Sequence, residues 1–122
     1  MAIPQARPSA DTAVTPVTEV FTALADELER ARTLGLRVEG AICAIAVRAA
    51  IDGSVIAELQ QLDAVLQHIG ALRDYAAEVA RACDARVQID TRSALDRVTL
   101  GDVRGRLAGE GLGDDDGLWE ML

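Results

Sequence analysis

Aromatic residues are almost missing from this sequence: Phe21, Tyr75 and Trp119 are the only three in 122 positions. Apolar mass therefore comes from Ala, Leu, Val and Ile, which suit closely packed helices better than a broad globular core. Lysine is absent, and all twelve basic residues are arginine. Pro4, Pro8 and Pro16 are the only prolines, so no later segment carries the residue that most reliably breaks a helix. Cysteine is scarce as well. Cys43 and Cys83 are forty residues apart, have no metal-ligand spacing around them, and read as small buried hydrophobes of a reduced protein.

Other absences narrow the function classes. The N-terminus lacks the basic-then-apolar layout of a signal peptide. The most apolar stretch, residues 41–51, is too short to span a bilayer and contains Arg48. Both features point to the cytoplasm. The net charge is −8, and residues 109–122 hold five acids (Glu110, Asp114, Asp115, Asp116, Glu120) with no base. No basic patch offsets this, which argues against nucleic acid and anionic membrane as partners.

What is present is helical periodicity. From Val17 the apolar positions run Val17, Phe21, Leu24, Leu28, Ala31, Gly35, Val38, Ile42, Ile45 and Ala49, alternating steps of four and three. That is the period of a helix packed along one seam. Gly35 and Gly40 each weaken such a helix by about 1 kcal/mol relative to Ala. A break near Thr33–Gly35 is the rival reading, and the unbroken phase across the glycines favours one helix, bent or straight. Thr15 or Thr18 is a candidate cap, with Pro16 suited to a first turn. Asp52-Gly53-Ser54 is the strong turn signal in mid-chain, with Ser54 as a candidate cap. A second seam follows: Val55, Leu59, Leu62, Leu66, Ile69, Leu72, Ala76, Val79 and Cys83.

The fold expected is all-α. Residues 1–15 show no period and read as disordered. Residues 16–86, with a turn at 51–54, form a long antiparallel helical hairpin whose arms are each ~50 Å long. Two helices cannot bury both their stripes, so the hairpin is expected to dimerise into a four-helix bundle. Residues 87–108 form a short helical segment, with Thr99 as a plausible cap, that covers one end of the hairpin. Residues 109–122 read as a flexible acidic linker ending in Leu118-Trp119-Glu120-Met121-Leu122.

No catalytic triad, metal cluster or phosphate loop is legible. A polar group remains on the second helix: Gln60, Gln61, Asp63, Gln67, His68 and Asp74. Asp63 and Gln67 are four apart and share a face. Gly70, three residues on, would leave bare backbone for another molecule to approach. His68 is a candidate phosphoacceptor, although His68-Ile69-Gly70 lacks the acidic residue that commonly follows such a histidine.

Leu62-Asp63-Ala64-Val65-Leu66-Gln67 resembles the D-x-x-x-Q core of the CheZ chemotaxis phosphatases. Hairpin, motif on the second helix, linker and acidic-apolar terminus come in that family's order. The resemblance implies a homodimer that accelerates hydrolysis of the aspartyl phosphate of a CheY-type response regulator. Gln67 would position the attacking water, and Asp63 would pair with the regulator's active-site Lys. Mg²⁺ would be held by the regulator and no cofactor by this chain. Asp114, Asp115, Asp116, Leu118, Trp119, Met121 and Leu122 would dock on the regulator. The alternatives are a non-catalytic dimeric adaptor using the same terminal peptide, and histidine phosphotransfer through His68.

Overall fold

A proline at the end of a β-branched run favours an edge strand that stops where a helix begins. Val14-Thr15-Pro16 does this. A computed structural model describes residues 14–49 and 53–109 of the chain. In chain order the elements are β1 (Val14–Pro16), α1 (Val17–Ala49), α2 (Gly53–Ala82), β2 (Gln88–Asp90), α3 (Arg92–Asp96) and α4 (Gly101–Leu107). Of the described residues 81% are helical, and the two long helices pack together.

α1 runs unbroken through Gly35 and Gly40, as the unslipped apolar phase predicts. The pairing of α1 with α2 is antiparallel. A Cβ on Gly35 would overlap the Leu66 side chain, and one on Gly70 would meet Arg32 Nε at 3.4 Å. Arg73 reaches back to Glu29. As the position falls from Gly35 to Arg32 to Glu29 on α1, its partner climbs from Leu66 to Gly70 to Arg73 on α2. Leu66 is only 4% exposed and fills the space a side chain at Gly35 would take.

The heptad of α1 splits in two. Phe21, Leu28, Gly35 and Ile42 are half-buried, whereas Leu24, Ala31, Val38 and Ile45 are exposed. One partner helix covers only one flank of a stripe that wide. On α2 the expected seam holds except at Leu72, which is exposed with Val65 and Tyr75.

The all-α expectation needs a correction. β1 and β2 form a two-stranded antiparallel sheet, with Val14 opposite Asp90, Thr15 opposite Ile89 and Pro16 opposite Gln88. The Val17 amide donates to the Val87 carbonyl oxygen at 2.9 Å and closes the ladder. Val14 and Thr15, expected to be disordered, are therefore strand residues. α2 stops at Ala82, short of the hairpin end expected at residue 86, because the Asp84 carboxylate takes the Arg86 amide at 2.9 Å and diverts the backbone from the helical ladder. The C-terminal segment is two short helices rather than one. Leu100, not Thr99, occupies the N-cap position of α4. α4 is held on α1 by Arg106, which donates to both oxygens of Glu27 at 2.8 and 2.9 Å. Cys43, expected to be buried, is exposed, and Cys83 is partly covered; both are free thiols. Residues 1–13, 50–52 and 110–122 lie outside the described residues, and with them the expected disorder before Val14, the first half of the turn expected at 51–54 and the docking residues Asp114, Asp115, Asp116, Leu118, Trp119, Met121 and Leu122.

Two glycines on one helix give opposite predictions. Gly35→Ala adds a methyl against Leu66, an overpacking cost of about 1–3 kcal/mol that outweighs the ~1 kcal/mol gained in helix propensity. Gly40 has no atom within 4 Å of its missing Cβ, so Gly40→Ala is expected to stabilise by about 1 kcal/mol. Urea denaturation followed by helical circular dichroism compares them. Equal midpoints for the two variants would show that Leu66 is not seated on Gly35.

Candidate functional site

Mid-helix positions on a rigid hairpin hold side chains more steadily than loops do. Asp63 and Gln67 stand one turn apart in the middle of α2, and both are exposed. Gln67 Nε2 donates to Asp63 Oδ2 at 2.8 Å. This bond fixes the amide, and Gln67 Oε1 accepts no hydrogen bond among the described residues. His68 is also exposed, and its Nδ1 lies 2.8 Å from the Ala64 carbonyl oxygen. A carbonyl only accepts, so the ring donates from Nδ1, and Nε2 makes no hydrogen bond among the described residues. Gln60 and Gln61 are exposed farther toward the turn.

Gly70 has a different role from the one expected. It is buried, and the Arg32 side chain lies across it. Its bare backbone serves the contact between α1 and α2 rather than an outside molecule. Sequence reasoning missed Arg32 and Arg73, since arginines are ordinarily assigned to a solvated face. A signal was available: Arg32 falls four residues after Leu28 and three before Gly35, on the inward line of α1.

Asp63, Gln67, Gly70, Arg32 and Arg73 line one groove of about 350 Å³ between the two helices, and His68 is not among its lining residues. Leu66 and Gly70 are at its base. Arg32 and Leu36 of α1 face Asp63 and Gln67 of α2, and Arg73 and Asp74 close one end. Arg73 is tied to two carboxylates, binding Glu29 across the hairpin through Nη1 and donating from Nε to Asp74 at 2.9 Å. These bonds, Asp74 first and Glu29 second, push the Arg73 pKa up. The same Arg73 bond holds the Glu29 carboxyl below its usual range. Arg32 is only a long ion-pair partner of Glu29, at 3.8 Å. Among the described residues no group of three or more His, Cys, Asp or Glu could hold a metal ion, and no helix is long and apolar enough to cross a membrane.

The groove thus offers a fixed amide with an open acceptor, a carboxylate beside it and two guanidinium groups. The chain belongs to the family described as a domain of unknown function (DUF8776). The match covers residues 13–120, so it takes in the clasp, the hairpin, the groove and most of the acidic terminus. No curated protein and no solved structure matches the chain.

The Glu29–Arg73 pair makes a pH prediction. A carboxyl whose folded pKa is depressed stabilises the fold above its unfolded pKa, and that contribution drains away as pH falls through the folded value. Glu29→Gln should therefore be less stable than the native chain at neutral pH. The difference should shrink as pH falls through and below the ordinary glutamate range, where the native carboxyl takes up its proton. Thermal melts of both proteins from neutral to acid pH test this. A gap that stays constant with pH would mean that the ionised Glu29 does not stabilise the hairpin.

Proposed function

We propose that this chain is a CheZ-like phosphatase that accelerates hydrolysis of the aspartyl phosphate of a CheY-type response regulator. One observation carries the proposal: the Gln67 amide is exposed in mid-helix, held through Nε2 by Asp63, with Oε1 open. An aspartyl phosphate needs a water held in line with its P–O bond. Gln67 Oε1 accepts a hydrogen from that water and aims its oxygen at phosphorus. The new P–O bond forms as the bond to the aspartyl oxygen breaks. Inorganic phosphate leaves, the regulator's carboxylate is restored, and the water's protons pass to phosphate and solvent. Mg²⁺ and an active-site Lys belong to the regulator, and Asp63 pairs with that Lys.

Assembly is part of the proposal. In an antiparallel pair, the residue just before each inward position points to the same side on both helices. Ala31, Val38 and Ile45 of α1 and Val65 and Leu72 of α2 are such residues and share one exposed face. Asp63, Gln67 and Leu36 follow inward positions and take the opposite face. A second copy seated on the apolar face gives a four-helix bundle and leaves the groove open. The acidic-apolar peptide from Asp114 to Leu122 then docks on the regulator in the cytoplasm. A dimeric adaptor would use the same face and peptide without chemistry.

Two measurements decide. Val38→Glu, at a position exposed in the single hairpin, should convert a dimer to a helical monomer by light scattering; a native chain already monomeric at micromolar concentration ends the bundle. In single-turnover decay of regulator phosphate at saturating protein, Gln67→Ala should lose about 10²-fold or more in rate with binding nearly intact. Asp63→Ala should weaken binding and rate together, and His68→Ala should change little. Native binding without acceleration selects the adaptor, and loss only in His68→Ala selects phosphotransfer through the open Nε2.

A further inference from the structure

Arg32 stands out in the groove because its hydrogen-bonding capacity is unspent. A guanidinium carries five N–H donors in a planar fork. Arg73 and Arg106 place theirs on carboxylates within the fold. Arg32 makes no hydrogen bond among the described residues, and its sole ion pair, to Glu29, is 3.8 Å long. Glu29 itself is held by Arg73. Yet the Arg32 side chain is not loose. It is packed over the bare backbone of Gly70, with Nε and Cδ where a Cβ there would meet them at 3.4 and 3.5 Å, and it is 34% exposed. Gly70 lies one turn from Gln67, and both residues line the same groove as Arg32.

From this geometry we infer that Arg32 is the phosphoryl-binding group of the groove, donating to the equatorial oxygens of the anion whose attacking water Gln67 positions. The inference rests on the phosphatase reading for its role in catalysis, though not for its role in holding an anion. A planar fork suits two phosphoryl oxygens at once. The charges around it fit a particular ligand. Glu29 and Asp74 are answered by Arg73, whereas Asp63 remains an acceptor with only the Gln67 amide on it. A bare anion must therefore approach Arg32 past the Asp63 carboxylate and is held weakly. A phosphoryl group with an ammonium beside it satisfies both. The groove is thus matched to a phosphorylated carboxylate lying next to a lysine, on a protein surface flat enough to meet a helix pair.

The test uses the full chain with ¹⁵N-labelled arginine, following the Nε–Hε signals. Titration with inorganic phosphate, and separately with a CheY-type regulator loaded with beryllium trifluoride as the aspartyl-phosphate mimic, should shift the Arg32 signal selectively. The unloaded regulator should shift it much less. An Arg32 signal unmoved by both anionic probes overturns the inference. In single-turnover decay, Arg32→Gln should slow the reaction by roughly 10- to 100-fold, and Arg32→Lys should recover part of that loss. Both variants are checked for native helicity and melting. Native decay rates in Arg32→Gln overturn the catalytic role while leaving the phosphatase reading intact. A selective phosphate shift at Arg32 with no acceleration by the native chain keeps the anion site and removes the phosphatase reading.

Discussion

Leu66 against the bare backbone of Gly35 is the contact on which the rest of the hairpin depends. Long antiparallel helices rich in Ala, Leu and Val can slide by a turn with little loss of buried apolar area, so something must choose the register. A large side chain seated in a hole that only glycine leaves open does so, because a shifted register would set Leu66 against a Cβ. Once that contact is made, Arg32 lies over Gly70 and Arg73 reaches Glu29. The polar groups that make the groove are therefore positioned by an apolar contact beneath them.

The electrostatics follow the same hierarchy. The chain is strongly acidic, and Arg73, Arg81, Arg86, Arg92 and Arg106 are each tied to a nearby carboxylate. Arg106 with Glu27 is the most enclosed of these pairs, at 14% and 17% exposure, and it joins residues 79 apart in sequence. Removing one partner would leave a largely covered charge unpaired, which is why a short helix such as α4 stays on α1. The strand clasp works at the same end of the hairpin. Together they close the end of the hairpin where α1 begins and α2 ends.

The sequence made the long helices legible because their evidence is local and repeated. The four-three steps persist across Gly35, and α1 is continuous there. Other features were hidden for identifiable reasons. The strands are three residues each and gain nothing until β1 and β2 meet across the length of the hairpin, so no local period announces them. Alternation in Val87-Gln88-Ile89 was the available hint. The division of the α1 stripe into half-buried and exposed members depends on how many helices pack against it, which a period does not state. In the site, the Asp63–Gln67 spacing was readable and their hydrogen bond follows from it. Arg32 was not readable as a groove residue, because its place there comes from a glycine on the other helix.

A site can be both exposed and well ordered when its side chains are restrained without being consumed. Exposed glutamine ordinarily samples several rotamers, and ordering it costs entropy when a ligand arrives. Here Asp63 restrains Gln67 through a bond within one helical turn, and Gly70 restrains Arg32 by packing rather than by bonding. The two restraints differ in kind, and that difference matters chemically. A hydrogen bond to Nε2 orients the amide and leaves Oε1 available. Packing along the stem orients the guanidinium and leaves its donors available. Had Arg32 been fixed by a carboxylate, as Arg73 is, the same rigidity would have consumed the groups a ligand needs. The groove thus keeps an acceptor and a set of donors in place, side by side, with neither spent on the fold.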